Sequence, residues 1–171
     1  MASWYTGAVP PEVRVLSCSD VHNFLTEQGI PHEIVQLPAR SNTAAKAAHL
    51  LGVQPEEVIK SLLFIVDDAA VLVLMPGDRN ADAERVREAV GGGSCALARP
   101  QQVLDITGYR VGAVPPCAHA SQTPVLADER VFEPAVVYCG GGTETTMLKI
   151  RSDDLRAVLS PDVRDLAAAP Q

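Results

Sequence analysis

The chain has 171 residues, enough for one domain with a substantial apolar core. Hydrophobic residues make up 47% and charged residues 20%, which excludes a disordered chain, and with 4% aromatics the core must be built mainly from Val, Leu, Ile and Ala. The formal net charge of -7 argues against a broad polyanion-binding surface, because phosphate contacts supply most non-specific affinity; an RNA ligand would have to be gripped by a small local basic patch.

No apolar run is long enough to cross a bilayer, and Met1 to Pro10 lacks a basic stretch followed by an apolar one. The expectation is a cytoplasmic protein with no membrane partner. The four cysteines, Cys18, Cys95, Cys117 and Cys139, have no zinc-knuckle or redox-pair spacing, so reduced thiols and no metal or cofactor are expected.

Residues 1 to 18 read as an irregular segment broken by Pro10-Pro11. Ser19-Asp20 then offers caps for a helix through Val21, Phe24 and Leu25 that Gly29 ends. His32 to Leu37 reads as a short strand between two prolines. Ser41 or Asn42 would cap an alanine-rich helix closed by Gly52, and Pro55 would start a single helical turn. Val58 to Val66 is the strongest strand, apolar enough to be covered on both faces. Asp67-Asp68 turns it back into a strand from Ala70 to Met75.

An amphipathic helix follows over Ala81 to Val90, stopped by Gly91-Gly92-Gly93. After the short segment Ser94 to Ala98, a helix begins near Pro100 and ends at Gly108. Val111 to His119 is a Gly- and Pro-rich loop with a short strand expected at its start. Pro124 to Ala127, Ala135 to Tyr138 and Thr145 to Ile150 read as strands, Ser152 as the cap of a last helix, and Ala167 to Gln171 as a frayed tail. Hairpins interspersed with helices predict an α+β fold: a mixed, mainly antiparallel sheet with flanking helices, in one domain over residues 1 to 171.

Three places could carry chemistry. Alternation puts Lys60 on one face with Leu62, Phe64 and Val66, so its ammonium starts on an apolar face. It either snorkels to water from the strand mouth or points into a pocket to hold an anionic or carbonyl-bearing group. The loop Gly112-Ala113-Val114-Pro115-Pro116-Cys117-Ala118-His119 can aim backbone N–H groups at a substrate oxygen, or can be an ordinary tight connection. His119 is there as an acid/base candidate or a solvated residue, and Cys117 as a weak nucleophile candidate. Gly140-Gly141-Gly142 could cradle a phosphate but lacks the context of a nucleotide-binding loop. Arg40, Lys46, Arg110 and Lys149 are surface charges that could together form the modest patch an RNA end requires.

The order of these features resembles a known family. Ala44-Ala45-Lys46-Ala47-Ala48-His49-Leu50-Leu51-Gly52-Val53, followed by Pro55 to Phe64 with Lys60 near the strand start, is similar to the YbaK family, which includes the editing domain of bacterial prolyl-tRNA synthetases and its free-standing relatives. Gly108 to Pro116 looks like the family's GxxxP loop, with Gly112 and Pro116 as its ends, and Pro124 to Glu129 and Ser152 to Leu155 resemble later blocks.

The resemblance covers residues 20 to 160. It implies a trans-editing aminoacyl-tRNA deacylase that removes a small wrong amino acid (Ala, Cys, Ser or Thr) from the tRNA acceptor end. A synthetase is an expected partner; metal, cofactor and DNA are not. It assigns Lys60, Gly112 and His119 to catalysis and Ala113, Val114, Pro115, Pro116, Ala118, Gly141 and Gly142 to substrate binding. Where the family often has Gly-His, this chain has Ala118-His119, which removes backbone freedom beside the site. A non-catalytic binding module of the same fold, and a small-ester hydrolase using Cys117, are the rival readings.

Overall fold

The computed structural model describes residues 14 to 170, so the expectation for the first 13 residues lies outside it. Helix α1 (Cys18–Glu27) starts a little earlier in the chain than Ser19-Asp20 suggests. Ser17 is its cap, with Asp20 completing a capping box that satisfies two backbone donors. Strand β1 (Glu33–Gln36) follows, then α2 (Ala44–Leu51), capped by the Thr43 side chain rather than by Ser41 or Asn42. The single turn at Pro55–Glu57 leads into β2 (Val58–Val66) and β3 (Ala69–Pro76). Asp67 and Asp68 both take positive φ, 47° and 67°, as a tight two-residue hairpin demands.

Helix α3 (Ala83–Val90), strand β4 (Cys95–Leu97) and helix α4 (Pro100–Thr107) come next. No strand forms between α4 and β5 (Val125–Asp128), so the short strand expected near Val111 is replaced by turns and bends. Strands β6 (Val136–Gly140) and β7 (Thr146–Arg151) then precede α5 (Ser152–Leu159) and β8 (Asp162–Arg164).

The eight strands form one mixed sheet in the order β1-β7-β6-β2-β3-β5-β8, with β4 beside β2. The β1/β7, β2/β3, β2/β4 and β6/β7 pairs are antiparallel; β2/β6, β3/β5 and β5/β8 are parallel. The α+β expectation holds. One face packs Ile59, Leu63, Leu72 and Leu74 against Val21 and Leu25 of α1, Val103 of α4 and Leu155 of α5. The other packs Phe64, Val66, Val71 and Val73 against Val86 of α3 and Leu166. Strand β2 is therefore covered on both sides, which its near-continuous apolar run anticipates.

The first residues of the expected frayed tail are held: Ala167 is buried and bridges Ala81, and the Ala168 N–H donates to the Asn80 carbonyl at 2.8 Å. Before them β8 adds to the sheet edge and Leu166 is buried. Asp128, fully buried, accepts the Leu166 N–H at 2.9 Å and the Arg130 guanidinium at 3.0 Å. A carboxylate removed from water needs such partners, and here they hold the last residues to the sheet.

Candidate functional site

The site begins with a gap in the sheet. On one edge β2 pairs continuously with β3. On its other edge β6 pairs only with Val58 and Ile59, and β4 only with Phe64 to Val66. Residues 60 to 63 face no strand there; Leu63 accepts one bond on that side, from the Ala98 N–H at 2.9 Å. A cleft of about 520 Å³ opens at this gap. Because the edge is open, residues of both faces of β2 line it: Lys60 and Leu62 of one, Ser61 and Leu63 of the other.

Further elements build the walls, with Leu97 of β4 and Met147 of β7 among the lining residues. The N-terminal turn of α2 contributes Asn42 to Ala45, α4 contributes Val103, the loop contributes Val111, Gly112 and Val114, and β6 ends there at Gly140. Gly112 has φ +91°, a conformation that L side chains avoid, and a Cβ on it would lie 3.4 Å from Asn42. The loop and the start of α2 thus meet across the cleft mouth. Among the described residues that line the cleft, Lys60 is the only charged one and none is a carboxylate.

Lys60 is half-buried, and burial pulls its ammonium below the usual lysine range, partly opposed by the nearby Asp78 carboxylate. Its Nζ donates to the Arg79 carbonyl and, at 3.4 Å, to Asn80 Oδ1. Both readings of Lys60 are therefore visible together. The side chain is tethered by the loop after β3, and the residue lines the cleft.

The 112–119 loop divides in two. Gly112 and Val114 line the cleft, whereas Ala113, Pro115, Pro116, Ala118 and His119 do not. The His119 Nε2–H donates to the Pro115 carbonyl at 2.7 Å, and burial, partly opposed by that bond, lowers its pKa, which favours the neutral ring. The Tyr109 hydroxyl donates to the Ala118 carbonyl at 2.9 Å. These bonds clamp the loop from behind. Ala118 has φ +62°, so the backbone demands what glycine supplies most cheaply and an alanine complies. Cys117 is buried, and burial pushes its thiol to about 12, which leaves no thiolate for nucleophilic attack.

The glycine run has a related task. Gly141 and Gly142 are buried and do not line the cleft. A Cβ at Gly140 would lie 2.2 Å from the Val114 carbonyl, and the Gly142 N–H donates to the Ala113 carbonyl at 3.0 Å. The run lets β6 press against the loop and braces it. Of the basic residues, Arg40 lies 3.8 Å from Glu144 and Lys149 4.0 Å from Glu33, while Lys46 and Arg110 are exposed.

The profile of the family described as "Aminoacyl-tRNA editing domain" matches residues 39 to 158. The chain belongs to this family. The proline–tRNA ligase of Geobacillus thermodenitrificans is 34% identical over 102 residues, 60% of this chain and 18% of that one. The proline–tRNA ligase of Acidithiobacillus ferrooxidans is 26% identical over 145 residues, 84% of this chain and 25% of that one. The chain thus spans about a fifth of the length of these ligases. A solved structure described as a proposed trans-editing enzyme for prolyl tRNA synthetase superposes with a TM-score of 0.83 at 30% identity, covering 89% of this chain and 97% of that one.

The editing-domain match and the trans-editing neighbour together support an ester hydrolase of the deacylase class. Parts of the cleft that escaped the sequence reading include Ser61, Val103, Met147 and the first turn of α2. The alternation along β2 puts Ser61 opposite Lys60, and nothing local signals that the sheet opens between them.

Proposed function

We propose that the protein is a trans-editing aminoacyl-tRNA deacylase, one domain over residues 1 to 171, that hydrolyses the ester of a misacylated tRNA carrying a small amino acid: Ala, Cys, Ser or Thr. The observation that carries the reading is the cleft at the open edge of β2, with a single ammonium on one side and the Gly112 loop on the other. An aminoacyl ester is already activated, and the neighbouring ribose hydroxyl can assist attack. The protein then needs chiefly to orient the ester and stabilise the developing oxyanion.

In this reading Lys60 anchors the acylated end through its ammonium, water attacks the carbonyl, and backbone N–H groups at the Gly112 end of the loop stabilise the oxyanion. His119, Ala118 and the Gly140 to Gly142 run act at one remove, by holding that loop in place. Among the described residues the cleft is uncharged apart from Lys60, which suits a grip confined to the acceptor end. The matches to part of proline–tRNA ligases support a synthetase as the partner that produces the misacylated tRNA.

The test is a panel of tRNAs charged with Ala, Cys, Ser, Thr and Pro, incubated with purified protein and assayed for ester loss. Turnover of at least one small aminoacyl ester, lost in Lys60→Ala, is the expected result. A protein that binds charged tRNA and leaves every ester intact is a binding module, and the proposal fails.

A further inference from the structure

The Ser61 hydroxyl is buried and has no hydrogen-bond partner among the described residues. Such groups are rare in folded proteins, because leaving a hydroxyl unpaired away from water is costly. Ser61 sits in the stretch of β2 that faces no strand, and it lines the cleft. It belongs to the face of β2 that carries Ile59 and Leu63, which pack with Val103 and Val114 in one apolar cluster that also lines the cleft. The immediate surroundings are thus apolar, with one hydroxyl set into them.

Lys60 and Ser61 are consecutive, so they project to opposite faces, yet both line one cleft. A ligand anchored at the Lys60 ammonium has to cross the strand edge to reach Ser61. The two ends of the cleft therefore suit different parts of one molecule: the anionic, ribose-bearing end near Lys60 and a small, largely apolar end near Ser61. The absence of any carboxylate from the cleft's lining residues bears on the α-ammonium of an aminoacyl group. A buried ammonium needs an anionic partner, so this one stays at the wet mouth. What reaches Ser61 is the side chain.

We propose that Ser61 is a specificity-determining residue that hydrogen-bonds the side-chain hydroxyl of a seryl or threonyl ester. The inference rests on the deacylase reading and names its substrate class. A hydroxyl can donate to or accept from a second hydroxyl, so Ser61 is satisfied by Ser or Thr and left unpaired by Ala. Sites built this way discriminate by what they leave unpaired as well as by what they hold.

The experiment compares initial rates of full-length wild type, Ser61→Ala and Ser61→Thr on one tRNA charged with Ser or with Ala, with thermal melts of each protein. The expected result is a Ser-to-Ala rate ratio that falls about tenfold in Ser61→Ala and is kept in Ser61→Thr, whose hydroxyl remains. The Ser61→Ala protein should melt no lower than wild type, since it loses an unpartnered group. A ratio unchanged in Ser61→Ala, including the case of a solvent molecule as the hydroxyl's only partner, overturns the inference while the deacylase reading stands. Wild type inert on every charged tRNA overturns both.

Discussion

Replacing Lys60 by Met separates its two tasks. Methionine keeps the length and apolar character of the stem and deletes the ammonium. The native fold loses a bond to the Arg79 carbonyl and a longer one to Asn80. It is also relieved of a half-buried charge whose pKa burial has already depressed. Asn80 is exposed, so its freed acceptor can turn to water, while the Arg79 carbonyl is only part-buried. The two effects oppose, and native stability should change by no more than about 1 kcal/mol.

Activity should respond differently. A charge-assisted hydrogen bond to the substrate is worth about 1.5–3 kcal/mol, which corresponds to a loss of about 10- to 150-fold in kcat/KM. The assay is single-turnover ester loss from the best substrate of the charged-tRNA panel, with thermal melts alongside. A Lys60→Met protein that melts like wild type and hydrolyses at the wild-type rate would refute the anchoring role and leave Lys60 as a tether for the loop after β3. Carbon-13 NMR of the Lys60 side chain gives a second check: it should titrate below 10.5, and Asp78→Asn should lower it further by removing the neighbouring carboxylate. With the folded pKa depressed, the unfolded chain holds the proton more tightly. The Lys60 contribution to native stability should therefore rise with pH between the folded value and 10.5.

Other outcomes follow from the loop. At Ala118, glycine relieves about 1–2 kcal/mol of left-handed strain but costs about 0.5–1 kcal/mol in chain entropy, so Ala118→Gly should be neutral to slightly stabilising. Ala118→Val should be destabilised by at least about 1 kcal/mol in denaturant titrations, because a β-branched residue suits φ +62° less well. Gly140→Ala should cost about 2 kcal/mol or more and reduce deacylation, since its Cβ would overlap the Val114 carbonyl; wild-type melting and activity would show that β6 does not brace the loop. His119 has a depressed folded pKa, so its contribution is present above the unfolded value of 6.5 and lost as pH falls from there toward the folded value. Thermal melts from about pH 7.5 to about 5 should show this loss, and His119→Gln, which keeps a donor for Pro115 but does not titrate, should show less of it.

Much of the fold was legible from local pattern. The ends of α2 and α4 follow from Gly52 and Gly108, which take the left-handed conformation that closes a helix. The β2/β3 hairpin follows from Asp67-Asp68 between two apolar runs. Caps misread by a few residues, Ser41 or Asn42 for Thr43 and Ser152 for Arg151, reflect several cap-forming residues in a row or a helix beginning straight from a strand. The C-terminal strand was missed because its order comes from Asp128, more than thirty residues away in sequence.

The candidate site was legible only in part. Sequence order nominated Lys60 and the Gly112 to Pro116 loop, because an ammonium within an apolar strand and a glycine before paired prolines are locally anomalous. It could not separate the loop residues that face the cleft from those that clamp it, since Pro115 and His119 differ from Val114 only in what lies behind them. The sequence by itself determined most of the elements, their order and the family, because caps, turns and alternation act over a few residues; β8 and the strandless loop after α4 lay outside that reach. Only the tertiary structure decided where β2 loses its neighbour. Strand pairing joins residues far apart in the chain, and the places where β4 and β6 stop short open the edge that brings Lys60 and Ser61 to one cleft.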